Sequence, residues 1–261
     1  MNQTVLDVKN LKTEFINDKK AFPIIKDVNF KLERGKVLGI VGESGCGKSV
    51  TVNTVLNLLP KNGRIAEGEI TYFDEDKPIE LQKLKQYGKE FRKLRGEKIS
   101  MIFQDPMSAL NPVYTIGNQI TEVLFEHYDI SKEEANKRAI EMLEKLGIHN
   151  AKERMNDYPH QFSGGQRQRI VIAIAMVCNP DILIADEPTT ALDVTIQAQI
   201  LDLLDDLRKE HGTSIILITH DLGVIAQIAD EVAVMYAGEI VEVGTVAQIL
   251  MNQNIRIHVH Y

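Results

Sequence analysis

Three features of this 261-residue chain predict an α/β fold with a parallel sheet at its centre. The apolar run VLGIV, Val37 to Val41, passes through GESGCGKS, Gly42 to Ser49, into the periodic segment VTVNTVLNLL, which reads as strand, glycine-rich turn and helix. Further short apolar runs, KISMIF, DILIAD and SIILIT, stop on polar residues, as buried parallel strands do at a ligand-bearing sheet edge. From Ile116 to about Lys152 the apolar spacing turns helical, so a helical insertion interrupts strands of one character.

The length suits one large α/β domain or two small ones with a sizeable core. A net charge of -7 argues against an electrostatic nucleic-acid binder. The longest apolar run, Ile170 to Cys178, falls far short of the roughly 20 residues that span a bilayer, so a membrane role must come through partners. The opening MNQTVLDVKN is polar and alternating, unlike a signal peptide. Two cysteines, Cys46 and Cys178, fit a reducing cytoplasm without a disulfide framework; Cys46 is either an oxidation site or a small filler.

Taken in order, VLDVKNLKTEF and PIIKDVNFKLERG read as short alternating strands that form an antiparallel patch. Phe15 ends the first of them, as an ordinary strand aromatic or as a flat face for a nucleotide base. In the loop that follows VLGIV, Gly42, Gly45 and Gly47 permit backbone angles at which successive N–H groups converge on phosphate oxygens at a helix N-terminus. Lys48 is placed to reach the β and γ phosphates, and the Ser49 hydroxyl to reach magnesium. Pro60, Asn62 and Gly63 then break the helix, GEITYF (residues 68–73) is a strand, and 74–98 is a solvated connection with some helix. KISMIFQDP is a buried strand stopping at Gln104 and Asp105. Gln104 is a plain polar strand end, or it points at the γ-phosphate if its strand lies beside VLGIV.

In the helical insertion, Glu133 with Lys137 and Glu141 with Lys145 form i,i+4 pairs on the solvent side, and Gly147 stops the helix. FSGGQRQR opens the next helix, with Ser163 as N-cap, two bare glycines, and Arg167 and Arg169 behind them. It is a capped helix or a second phosphate-facing element. The strand Ile182 to Ala185 ends in Asp186 and Glu187, adjacent acids that are costly to bury without a metal or partner. Asp186 suits magnesium through water and Glu187 suits polarising an attacking water. SIILITHD ends at His220, which shares the sheet edge of Gln104 and Glu187, and a helix, two strands turning at Gly238 and a short helix close the fold.

Together, GESGCGKS, Gln104, FSGGQ, ILIADEP, TALD and His220 resemble the motif set of ABC-type ATPases, in order and over residues 1–251. QDPMSALNPVYTIGNQI, YPHQFSGGQRQR and DEPTTALDVTIQAQIL are similar to the ATP-binding subunits of dipeptide, oligopeptide and nickel importers. The resemblance implies a P-loop NTPase fold: a RecA-like core, an antiparallel β subdomain and an inserted α-helical subdomain at about 105–180. It further implies an ATPase on the cytoplasmic face of the membrane, paired head to tail with an identical or paralogous ATPase. Two transmembrane permeases and a solute-binding protein complete such importers, and the solute is not legible.

By the same resemblance Gly42, Glu43, Ser44, Gly45, Cys46, Gly47, Lys48, Ser49 and Val50 hold ATP, and Phe15 stacks on adenine. Ser49, Gln104 and Asp186 surround Mg2+, Glu187 is general base, and His220 and Gln104 complete the catalytic set. Ser163, Gly164, Gly165 and Gln166 act on the partner's nucleotide, Asp193 lies at the dimer seam, and 105–119 couples to the permeases. Phosphoryl transfer depends on such positioning and charge stabilisation. A second reading is an ABC-type ATPase of a soluble complex, such as a phosphonate carbon–phosphorus lyase; a translation- or repair-type ABC protein fits less well.

The last ten residues, NQNIRIHVHY (252–261), depart from the subgroup, whose members continue through a segment like NPKHPYTRAL into a tail that often carries iron–sulfur cysteines. Encoded as AAT CCA AAA CAT CCG TAT ACA CGT GCA TTA and followed by T, NPKHPYTRAL becomes NQNIRIHVHY when one C of CCA is lost. The end is therefore either frameshifted, in which case no iron–sulfur cluster and no metal site at the terminal HVH are expected, or a real short divergent tail.

Overall fold

The computed structural model describes residues 3–75, 77–105, 109–190 and 192–251; the tail read as frameshifted or divergent lies outside them, as do 106–108 of the expected coupling segment. An antiparallel group comprises β1 (Thr4–Asn17), β2 (Lys20–Glu33), β4 (Gly63–Asp74) and β5 (Lys77–Glu80). A second group comprises β3 (Val37–Val41), β6 (Ile99–Ile102), β7 (Ile182–Asp186), β8 (Ser214–Thr219), β9 (Glu231–Tyr236) and β10 (Glu239–Thr245). The strand order is β5-β4-β1-β2-β10-β9-β3-β8-β7-β6. From β9 to β6 all pairings are parallel, and β10 returns antiparallel on β9 through the turn at Gly238. The two groups meet where the Lys26 N–H donates to the Gly238 carbonyl at 2.9 Å.

Parallel strands covered on both faces need apolar residues throughout, and β3, β7 and β8 are buried at every position. Alternation sorts their side chains. Val37, Val41, Leu183, Ala185, Ile215 and Leu217 join one core, whereas Leu38, Ile40, Ile182, Ile184, Ile216 and Ile218 join another with the antiparallel strands. Helices α1 (Lys48–Val55) and α2 (Lys89–Glu97) contribute Val52, Val55 and Phe91 to the second core. The first is completed by α3 (Ile116–His127), α4 (Lys132–Lys145), α5 (Ala151–Arg154), α6 (Gly164–Met176), α7 (Val194–His211) and α8 (Leu222–Ile228), with α9 (Val246–Met251) against β10.

Helix ends follow local chemistry. Thr115, Ser131, Ser163 and Asp193 each accept the N–H three residues on, and Asp221 that of Gly223. Gly147, at φ 73°, ends α4 as its sequence predicts.

Three expectations need correction, and the condition set for Gln104 is not met. The first hairpin is long, with 14 residues in each strand, because bulges near Leu11 and Thr13 bend the strands without ending them; Phe15 is two residues short of the end. The stretch 74–98 is not merely solvated, since Leu81 and Phe91 are buried. The surface pairs shift: Lys137 reaches Glu141 at 4.0 Å, Arg138 reaches Glu134 at 2.8 Å, and Lys145 turns to Glu210. Exposed pairs contribute only about 0.2–0.5 kcal/mol, too little to dictate side-chain choice. Finally, β6 does not lie beside β3, because β8 and β7 intervene.

Candidate functional site

Register brings the strand ends together. Val41 pairs with Thr219, Ile218 with Asp186, and Ala185 with Ile102, so Gly42, His220, Glu187 and Gln104 all leave the sheet at one edge. Gln104 thus reaches the site although its strand is remote from β3. Its Nε2 donates to Glu187 Oε2 at 3.0 Å.

The glycine-rich loop is pinned before it is filled. A Cβ on Gly42 would lie 2.2 Å from the Met235 carbonyl oxygen and 2.8 Å from Cys46 Sγ, so a side chain there would displace β9 or the loop. Gly47 starts α1 at φ 111°, which side-chain-bearing residues resist. The Gly238 N–H donates to the Cys46 carbonyl at 2.9 Å, fastening the loop to the β9–β10 turn. Lys48 is 5% exposed, and its ammonium donates to the carbonyls of Gly42 at 2.7 Å and Glu43 at 3.0 Å. Glu43, Ser44 and Gly45 are exposed at the mouth, and Val50 is half-buried behind it. Both cysteines are free and buried, and burial raises the Cys46 thiol above its ordinary pKa against the pull of Lys48 and pushes Cys178 up to about 11.

The Ser49 hydroxyl donates to Asp186 Oδ1 at 3.1 Å. Burial raises the Asp186 carboxyl above its usual range, and the Ser49 hydrogen bond only partly offsets this. A buried carboxylate with a hydroxyl beside it and a carboxamide at the same edge is an oxygen donor set short of positive charge, which fits a hard cation such as magnesium. Among the described residues no group of three or more His, Cys, Asp or Glu is arranged to hold a metal ion, so such a cation would also need phosphate or water ligands.

Glu187 adopts φ 48°, unusual for a side-chain-bearing residue, and its N–H donates to the Ile218 carbonyl at 2.9 Å. Its carboxylate accepts from Gln104 and from Thr190 Oγ1, each at 3.0 Å, and its other oxygen lies 3.3 Å from His220 Nδ1. The side chain keeps 15% exposure, so the carboxylate still reaches solvent while three neighbours fix it. Thr190 is the residue that motif reading missed. Its signal was the spacing, since the turn closed by the Thr190 N–H on the Glu187 carbonyl brings the hydroxyl back to the acid.

The remaining expected residues lie elsewhere. Ser163 and Gln166 form a reciprocal cap at the start of α6, with Ser163 Oγ accepting from the Gln166 N–H at 3.4 Å and Gln166 Oε1 from the Ser163 N–H at 3.1 Å. Gly164 faces open space, and Gly165 sits near Ile196. Among the described residues no hydrogen bond or ion pair joins residues 163–166 to the loop at 42–49. Arg169 is tied to the Leu146 carbonyl and Gln199, and Arg167 donates to the Pro159 carbonyl, so both guanidinia serve packing. Asp193 caps α7 through the Ile196 N–H at 3.0 Å. Phe15 is half-buried against Gly63, whose Cβ would lie 2.8 Å from the ring.

A loop that draws a buried ammonium and bare N–H groups to the mouth of a parallel sheet has one ordinary use, holding nucleotide phosphates, and this defines a P-loop nucleotide-binding protein. The glycine-started helix ahead of β7 narrows the class. Residues 25–190 match the family described as ABC transporter, and the chain belongs to that family. The oligopeptide transport ATP-binding protein OppD of Bacillus subtilis (strain 168) is 56% identical over 246 residues, covering 94% of this chain and 67% of that protein. The dipeptide transport ATP-binding protein DppD of the same strain is 52% identical, covering 93% and 71%. Among solved structures, the dimeric post-hydrolysis state of the ATP-binding cassette MJ0796, bound to ADP and Pi, superposes with a TM-score of 0.79 at 31% identity, covering 92% of this chain and 98% of that one. CbiO1 of Clostridium perfringens, part of the ABC transporter complex cbiONQ, gives a TM-score of 0.80 at 29% identity, covering 96% and 92%.

Proposed function

We propose that this chain binds and hydrolyses ATP to drive uptake of peptides through partner membrane permeases. The observation that carries the ATPase reading is Glu187, held by Gln104, Thr190 and His220 at the sheet edge where Lys48 closes the phosphate loop. Peptides are the cargo in the names of the two transport proteins above, which favours import over the carbon–phosphorus lyase alternative. Among the described residues no helix is long and apolar enough to cross a membrane.

In this reading Lys48 leaves the Gly42 and Glu43 carbonyls for the β and γ phosphates, and the amides of 43–49 close on them. Ser49, Gln104 and Asp186 would hold magnesium, which neutralises charge on the phosphates when bound. Glu187 takes a proton from the attacking water while Gln104 and Thr190 fix its orientation, and His220 stabilises the charge developing opposite. Residues 163–166 complete the nucleotide site of a second ATPase, Asp193 lies at their seam, and Phe15 stacks on adenine. Residues 1–251 act as one ATPase domain whose helical part, about 105–180, receives the permeases at the cytoplasmic face of the membrane. A cleft lined by Tyr114, Gln119, Val123 and Phe125 offers apolar surface for that contact. A solute-binding protein would deliver the peptide.

Coexpression with its permeases in cells lacking peptide uptake tests the proposal. Uptake should return with the wild-type chain and fail with Lys48→Ala; uptake driven equally by Lys48→Ala would overturn it.

A further inference from the structure

The strongest charge asymmetry lies away from the phosphate loop. Residues 83–98 carry seven basic and two acidic side chains, net +5 within a chain of net -7. Several are neutralised: Lys83 by Glu80, and Lys98 by Asp74 and Asp181. Arg95 lies over the Phe91 ring. Lys85, Lys89, Arg92 and Lys93 are exposed and have no carboxylate partner among the described residues. On α2, Lys89, Arg92 and Lys93 sit at i, i+3 and i+4 and share one face, while Phe91 anchors the opposite face in the core. They line a cleft of about 400 Å³ with Glu126 and His127 of α3. Tyr87, 72% exposed, stands just ahead of the helix.

We propose that this cleft docks on the anionic headgroups of a phospholipid surface. Two observations select that partner. The charge is complementary, since three cations on one short face outnumber the single wall carboxylate, Glu126. The position is continuous with the side proposed above for the permeases, because Glu126 also lines the apolar cleft of Tyr114, Val123 and Phe125. An exposed tyrosine beside a basic face suits the headgroup layer, where amphipathic rings reside. The inference rests on the transport reading only in expecting this side to approach a membrane.

Cosedimentation of the purified full chain with vesicles, without nucleotide or permease, tests it. Binding to phosphatidylcholine vesicles containing a quarter phosphatidylglycerol should exceed binding to phosphatidylcholine alone and fall in about 0.5 M salt. The triple variant Lys89→Gln/Arg92→Gln/Lys93→Gln should lose on the order of a hundredfold in partitioning, and the triple variant Lys89→Glu/Arg92→Glu/Lys93→Glu more. Far-ultraviolet dichroism verifies that each variant is folded. Equal binding to both vesicles, unchanged binding by a folded triple variant, or preferential retention by duplex DNA would each overturn the proposal. None of these bears on peptide uptake, which has its own test.

Discussion

Glu187→Gln separates geometry from chemistry at this site. The amide oxygen can take the place of Oε2 and still accept from Gln104 Nε2 and Thr190 Oγ1, both at 3.0 Å. The amide nitrogen then falls 3.3 Å from His220 Nδ1, to which it can donate. All three contacts survive, and Lys48, Ser49 and Asp186 are untouched. What disappears is a carboxylate able to take a proton, a contribution of about 10²–10⁴ in rate, or roughly 3–5 kcal/mol of barrier. Phosphate release under saturating ATP should fall at least about 10²-fold, while a fluorescent ATP analogue binds with nearly unchanged affinity. Wild-type turnover would refute the role of Glu187, and a matching loss of affinity would refute the claim that the site is preserved.

Thr190→Val keeps the shape and removes one hydrogen bond to that carboxylate. Water can partly replace it, so kcat should drop by several-fold, on the scale of about 1 kcal/mol, with KM unchanged and Thr190→Ser restoring the rate; an unaltered kcat removes Thr190 from the account. Asp186→Asn tests the buried charge. Because burial raises the Asp186 carboxyl in the fold, the unfolded chain ionises first as pH climbs from its ordinary value, and the fold is penalised from there upward. Asparagine retains the acceptor for Ser49, so the nucleotide-free variant should melt a few degrees higher at pH 7 and gain little near pH 4 in calorimetry, while losing magnesium-dependent stabilisation by ATP. A lower melting temperature at pH 7 would contradict the assignment.

The phosphate loop, the buried strands and the acidic strand end were legible because each is a local pattern with one physical solution. Few side chains fit where the Met235 carbonyl crowds Gly42, and a strand covered on both faces must be apolar throughout, as β7 is. Strand order was not legible. Whether β6 adjoins β3 is set by crossovers between strands far apart in sequence, and local patterns carry no trace of it. Gln104 reached the site by another route than the sequence suggested, through the common edge. Thr190 was only half legible, since its three-residue spacing from Glu187 is in the sequence but the turn that uses it, with Glu187 at φ 48°, is not announced by propensity. The basic face of α2 was written in plain sight, yet a charged run reads as solvated surface until Phe91 is seen to bury the other side.

The central claim is that the loop at Gly42 to Ser49 is half of a catalytic site. Ser163 and Gly164 are exposed and Gly165 packs near Ile196, and among the described residues no hydrogen bond joins them to the loop that Lys48 closes. ATP binding and ATP turnover measured together across a range of concentrations, with light scattering to report assembly, test this most directly. The account predicts that the chain binds ATP as a monomer and that turnover per chain appears only as ATPase pairs form. A full, concentration-independent rate from a chain that scatters as a monomer would contradict it.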